Sequence, residues 1–215
     1  MNVLFWNVDT QYDFMRDDSS FHGALAIADA HQIEGDLEFL TELAAKHGIK
    51  VVNTKDYHTL QSREISHDPD FKTTFPPHCL RETVGARYVP ATEPENPYTI
   101  DWKEVDFDLT KVQRHRNIVL CKDEFDIFHP SGAPHTPKVL EVLLPDRVMV
   151  YGVATNVCVD YAVCGLLNFR RGVEVYVLRD AIKELPHLPL DATLDAWRDA
   201  GVQLITTKEV LKYAS

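Results

Sequence analysis

The sequence predicts an α/β protein: a doubly wound, mostly parallel sheet with helices on both faces. Two observations carry this. Apolar runs of strand length recur along the chain, and helical patterns separate them. Neither an internal repeat nor a low-complexity tract interrupts the alternation. With 45% hydrophobic and 26% charged residues in 215, there is material for a full core, and the chain reads as one domain spanning 1–215.

Val3–Val8 reads as the first strand. From His31 to Lys46, Ile33, Leu37, Leu40, Leu43 and Ala44 recur at helical spacing, and His47-Gly48 is a natural stop. Ile49–Asn53 and Asn117–Cys121 are the next two strands, and Pro137–Leu144 is a short helix. Arg147–Tyr151 reads as a strand, and Val157–Phe169 as a helix ended near Gly172. Val173–Leu178 is a strand, Leu190–Ala200 a helix ended by Gly201, and Val202–Ile205 the last strand before a short C-terminal helix. The stretch from Asp56 to about Tyr98 is rich in Pro, His, Thr and charge and has little periodicity. A loop that long inside a compact domain is usually functional.

The net charge of −11 argues against a nucleic-acid partner, and no apolar run approaches membrane-spanning length. The N-terminus opens directly into a strand, with no basic region before it, so a cytoplasmic location with free thiols is expected. The partner expected is a small molecule, and homo-oligomerisation is left open.

In an open parallel sheet, ligands bind at the carboxyl ends of the strands. Asp9, Asp56 and Lys122 each follow a strand, and Cys158 follows another at the start of a helix. Asn156 or Thr155 can cap that helix, and its free N–H groups and partial positive charge would lower the thiol pKa and could hold an oxyanion. The other reading of Cys158 is a small buried core residue, which is also the reading for Cys164. Asp9 is a turn cap or a general base; no His lies near Cys158 in sequence, so Asp9 could serve as its proton acceptor. Asp13 reads as a turn former. Lys122 either snorkels to solvent or holds Asp9 and favours the thiolate. Asp56, His58 and His78 form a set that suits Zn²⁺, Fe²⁺ or Mn²⁺, or else serve structural or solvated roles.

In order along the chain, five segments resemble the nicotinamidase branch of the isochorismatase-like cysteine hydrolases. They are Val8-Asp9-Thr10-Gln11-Tyr12-Asp13-Phe14, Lys55-Asp56-Tyr57-His58, Phe75-Pro76-Pro77-His78-Cys79, Lys122 with Phe125-Asp126-Ile127-Phe128, and Gly152-Val153-Ala154-Thr155-Asn156-Val157-Cys158-Val159. The resemblance implies a six-stranded parallel sheet and a catalytic triad of Asp9, Lys122 and Cys158. It also implies a cis peptide before Ala154 and an oxyanion hole made by the Ala154 and Cys158 N–H groups. One divalent metal (Zn, Fe or Mn) on Asp56, His58 and His78, carried by a loop insertion around 56–98, would orient a pyridine ring between Phe14 and Phe75. Glu64 stands where some nicotinamidases carry another His ligand and is a candidate fourth ligand, direct or through water. Asn156-Val157 replaces an Asp-aromatic pair and resembles the metal-free ureido-amide and biuret-type hydrolases; Phe75 replaces a tryptophan. The activity expected is nicotinamide hydrolysis through a cysteine thioester. A ureido or carbamoyl amidase is the alternative, and a non-catalytic metal- or ligand-binding protein on the same fold is a second.

Overall fold

A computed structural model describes residues 1–169, 172–186 and 188–213. Its centre is β1 (Val3–Val8), buried along nearly its whole length. β2 (Lys50–Asp56) pairs with one edge of β1 and β5 (Arg147–Val153) with the other, both in parallel. β4 (Asn117–Lys122) and then β3 (Tyr98–Ile100) continue outward from β2, and β6 (Glu174–Lys183) and β7 (Gln203–Ile205) outward from β5. The order is β3-β4-β2-β1-β5-β6-β7, and every pairing is parallel.

The sheet therefore has seven strands, one more than the six expected. The extra strand, β3, is three residues long, lies on an edge and begins where the aperiodic stretch ends. A run that short carries too few side chains to show an alternation. Two short helices are also additional: α1 (Tyr12–Met15), directly after β1, and α3 (Leu109–Arg114), whose N-cap Asp108 accepts the Thr110 and Lys111 N–H groups. The longer helices fall where periodicity placed them: α2 (Glu34–His47), α4 (Thr136–Leu143), α5 (Cys158–Phe169) and α6 (Leu190–Asp199). The C-terminal helix is a 3-10 turn, Thr207–Lys212, closed by a capping box of Thr206 and Glu209.

Alternation along the central strands divides the core in two. Phe5, Val51, Met149 and Tyr151 pack under α2, through Leu37, Leu40 and Ala44. Leu4, Trp6, Val52, Val148 and Val150 pack under α4 and α5, through Val139, Leu140, Val159 and Val163. The order of connections reverses at β1, which opens a crevice at the carboxyl edge of the central strands. The register sets Asp56 beside Lys122 and Val8 beside Gly152 at that edge.

Gly152 has φ 115° and lies against the backbone of Val8, where a Cβ would run into the Val8 carbonyl oxygen. Gly152→Ala should therefore destabilise the fold by on the order of 3 kcal/mol, through strain and steric conflict together. Urea denaturation checks this; a midpoint equal to wild type would show that the strand edge relaxes freely.

Candidate active site

Asp9 leaves the end of β1 with φ 46°, a left-handed conformation that turns its side chain across the sheet edge. Thr54 donates to Asp9 Oδ1 at 2.6 Å, and Asp9 N–H donates back to Thr54 Oγ1 at 3.2 Å. The other oxygen, Oδ2, faces the Lys122 ammonium at 3.0 Å. Lys122, the last residue of β4, is fully buried rather than snorkelling. Its ammonium pairs with Asp9 and Asp56, donates to Glu124 O at 3.2 Å and stands 3.6 Å from Cys158 Sγ. Cys158 is the first residue of α5. One atom each of Asp9, Asp56 and Cys158 fall within 4.8 Å of one another. The structure thus brings the three predicted catalytic residues together.

Asp56 divides its carboxylate. Oδ1 takes Lys122, and Oδ2 faces His58 Nε2 at 3.6 Å and His78 Nε2 at 3.7 Å. Ligand atoms of these three residues lie within 4.8 Å of one another. Both imidazoles commit their other nitrogen: His58 Nδ1 to Asp123 at 3.3 Å, and His78 Nδ1 to the Pro76 carbonyl at 2.7 Å. His58 Nε2 is buried without a hydrogen-bond partner. Two Nε2 lone pairs and one carboxylate oxygen converging in a buried site fit a divalent cation, with outer partners fixing the tautomers. Glu64 stands outside this trio. Phe125 N–H donates to its Oε1 at 2.8 Å, and its Oε2 is unpartnered.

Beside the triad lies a narrow cavity that opens to solvent. Phe14 and Phe75, the expected ring neighbours, line it together with Phe125, Leu25, Ile27, Val157 and Leu185. His78, Asp56, Cys158 and Ala154 form its polar end. The peptide between Val153 and Ala154 is cis. Neither the Ala154 nor the Cys158 N–H has an acceptor among the described residues, so both are free to hold an oxyanion. Asn156 and Thr155 do not cap α5. The Asn156 amide donates to the carbonyls of Leu185 and Leu188 and accepts Leu185 N–H, so it fastens a cavity-wall loop instead; Thr155 Oγ1 has no partner among the described residues.

Sequence reasoning missed Phe125, Leu25 and Ile27 as lining residues, and Gln11, Ser62 and Asp123 as supports. Gln11 Nε2 donates to the Asp56 carbonyl and Gln11 Oε1 accepts Asp56 N–H, each at 2.8 Å, clamping the Asp56 backbone. Ser62 donates to Asp123, the partner of His58. The only signal was position: Gln11 and Phe125 lie inside two of the five segments, and Asp123 follows Lys122.

Residues 4–209 match the isochorismatase domain. The chain belongs to the isochorismatase domain family. It is 28% identical over 199 residues, 92% of this chain and 95% of the other, to the nicotinamidase/pyrazinamidase of Mycobacterium tuberculosis (strain ATCC 25618 / H37Rv). Its fold is similar to the pyrazinamidase of Pyrococcus horikoshii in complex with zinc, with a TM-score of 0.70, 22% identity and coverage of 96% of this chain and 99% of that one. It is equally similar to the N-carbamoylsarcosine amidase from Thermoplasma acidophilum, with a TM-score of 0.70, 19% identity and coverage of 96% and 97%.

The electrostatics of this isochorismatase-family site correct one expectation. Burial is the largest influence on Cys158 and pushes its thiol well above the ordinary value; Lys122 pulls it down, but Asp9 and Asp56 push it up again. Removal from water and the two carboxylates thus outweigh the ammonium and favour the thiol form. Burial likewise raises Asp9, against the pull of Lys122, which suits a proton acceptor. For Asp56 burial is opposed and outweighed by Lys122 and then His58, so its carboxylate stays ionised. Burial alone would lower His58, but the Asp56 charge and the hydrogen bond to Asp123 carry the imidazole up to about 9.

Glu64 is pushed up to about 9, chiefly by burial. The folded protein then keeps a proton that the unfolded chain releases near the ordinary value of 4.5. This stabilising contribution is complete below that value and is lost as pH rises toward about 9. In chelator-treated protein, Glu64→Gln should therefore show a shallower fall of Tm across that window than wild type. Parallel Tm–pH curves would show that Glu64 is already ionised in the fold.

Proposed function

We propose that this chain is a cysteine amidohydrolase that converts nicotinamide to nicotinate and ammonia. The observation that carries this reading is the arrangement at one end of an aromatic-walled cavity. Cys158 and Ala154 line it, Asp9 and Lys122 stand behind the sulfur, and the Asp56, His58 and His78 trio converges beside them. A flat ring would pack against Phe14, Phe75 and Phe125 with its amide directed at Cys158. Asp56, His58 and His78 would hold the divalent ion. When bound, such an ion supplies Lewis acidity toward a ring-nitrogen lone pair and so fixes the ring's orientation.

Asp9 Oδ2 takes the Cys158 proton as the sulfur attacks the carboxamide carbon, so the thiol is activated only when substrate is in place. The carbonyl oxygen becomes an oxyanion under the Ala154 and Cys158 N–H groups. Asp9 returns the proton to the departing nitrogen, the C–N bond breaks and ammonia leaves a thioester. Asp9 then accepts a proton from the attacking water, the C–S bond breaks and the proton returns to sulfur. Lys122 remains charged throughout and keeps the Asp9 carboxylate turned toward the thiol.

The cavity also bears on the carbamoyl alternative. Among the described residues no arginine lines it, and Lys122 is committed to two carboxylates. A carbamoyl amino acid would bring a carboxylate with no uncommitted arginine or lysine among the described lining residues to meet it. Asn156, the residue that resembles the ureido-amide enzymes, is spent on the loop of Leu185 and Leu188.

Purified protein should release ammonia from nicotinamide and far less from N-carbamoyl amino acids; the reverse ranking would transfer the assignment. Cys158→Ala should abolish turnover with the fold intact by circular dichroism, and Asp9→Asn should lower kcat by at least about 10²-fold. Chelation, or His78→Ala, should act mainly on KM, since the ring anchor is lost while the bond-breaking groups remain. A chelated enzyme with unchanged KM would remove the metal from this reading.

A further inference from the structure

We infer that Asp13 is a positioning residue that holds the two histidine ligands and the apolar wall of the cavity in one frame. The inference rests on the reading of Asp56, His58 and His78 as a metal set. Asp13 is buried in α1, four residues after Asp9, and touches none of the three ligands through a hydrogen bond of its own. It acts through backbone.

One carboxylate oxygen accepts the Cys79 N–H at 2.6 Å. Cys79 follows His78 directly, and its own carbonyl accepts the His58 N–H at 3.1 Å. Fixing the Cys79 peptide therefore fixes the backbone of both histidines, which lie twenty residues apart in sequence. Cys79 is held at φ 45°, a conformation that a non-glycine residue keeps only when its surroundings impose it. The other Asp13 oxygen accepts Ala24 N–H at 3.1 Å, and the Asp13 carbonyl accepts Leu25 N–H at 3.2 Å. Leu25 and Ile27 are cavity lining, and Ile27 N–H donates to the carbonyl of Phe14, the next residue after Asp13. One buried carboxylate thus ties the ligand loop to the wall against which the ring would pack. Asp13 N–H donates to Gly85 O at 3.1 Å, and Gly85 packs so closely that a Cβ there would overlap the Asp13 carboxylate.

The close packing supplies a second way to disturb the strut without altering Asp13 itself. Asp13→Asn exchanges an acceptor oxygen for a donor that faces a backbone N–H. Gly85→Ala instead displaces the intact carboxylate. Zinc affinity of purified protein, measured by competition with a chromogenic chelator, should fall by about 10- to 100-fold in each variant, the range seen when an outer partner of a metal ligand is removed. KM for nicotinamide at saturating zinc should rise more than kcat falls. Leu140→Ala, a core truncation in α4 on the opposite face of the sheet, serves as the control for mere destabilisation. It should lower Tm and leave zinc affinity at the wild-type value. Wild-type zinc affinity in both folded variants overturns the inference, and so does a Leu140→Ala loss equal to theirs. Wild-type protein that binds no zinc overturns the metal reading and this inference together. Wild-type protein that binds zinc but ignores nicotinamide removes only the substrate assignment, and the affinity comparison still decides the role of Asp13.

Discussion

A buried ammonium between two carboxylates is the constraint from which the rest of the site follows. Lys122 is fully enclosed, and an enclosed charge persists only when oppositely charged and hydrogen-bonding groups replace water. Asp9 and Asp56 supply the charge, and the Glu124 carbonyl accepts a further hydrogen bond. All three partners are delivered by neighbouring strand ends or by the turn after β4, so the parallel register of β1, β2 and β4 is itself a condition for keeping the lysine inside. Two carboxylates against one ammonium leave the cluster short of positive charge. The raised His58 pKa in the metal-free site is one response to that deficit, and a divalent cation on Asp56, His58 and His78 is a stronger one.

The central strands were legible because both faces of the sheet are covered, which turns each strand into a continuous apolar run. The helices α2, α4, α5 and α6 were legible because each presents an apolar stripe to one face of that sheet. β3, α1 and α3 are too short to establish a period. In the site, Asp9, Lys122 and Cys158 could be found since each sits at the end of a readable element. Gln11, Asp13 and Asp123 could not be assigned roles that way. Their partners are Asp56, Cys79 and His58, at separations of 45, 66 and 65 residues, and nothing local in the sequence announces contacts across such distances. The capping role expected of Asn156 failed for a related reason. An asparagine before a helix is a sound local cap, but the amide found better-placed partners in the loop at Leu185 and Leu188.

The state of the thiol was misjudged from sequence because local and global terms oppose each other. A helix N-terminus and a neighbouring lysine both favour a thiolate, and both are visible in the sequence. Burial and the two carboxylates are tertiary facts, and together they dominate. The result is coherent with general-base chemistry. A thiol already ionised at rest would have no proton for Asp9 to take. A neutral thiol beside a carboxylate of raised pKa sets a proton donor next to an acceptor that holds a proton more readily than an ordinary carboxylate does.

Asp56 makes the two halves of the site one electrostatic unit. Its Oδ1 belongs to Lys122 and through it to Asp9 and the thiol, while Oδ2 belongs to the histidines. Any cation on the histidine side competes with Lys122 for the same carboxylate charge. As that charge is drawn away, Lys122 is left to interact more strongly with Asp9 and with a developing thiolate, both within its reach. On the proposed reading, ring binding and thiol activation are consequently not independent properties that happen to share a cavity. They would be coupled through one carboxylate whose backbone is clamped by Gln11, and the segment from Asp9 to Phe14 carries the proposed base, that clamp, the proposed strut and a wall of the cavity within six consecutive residues.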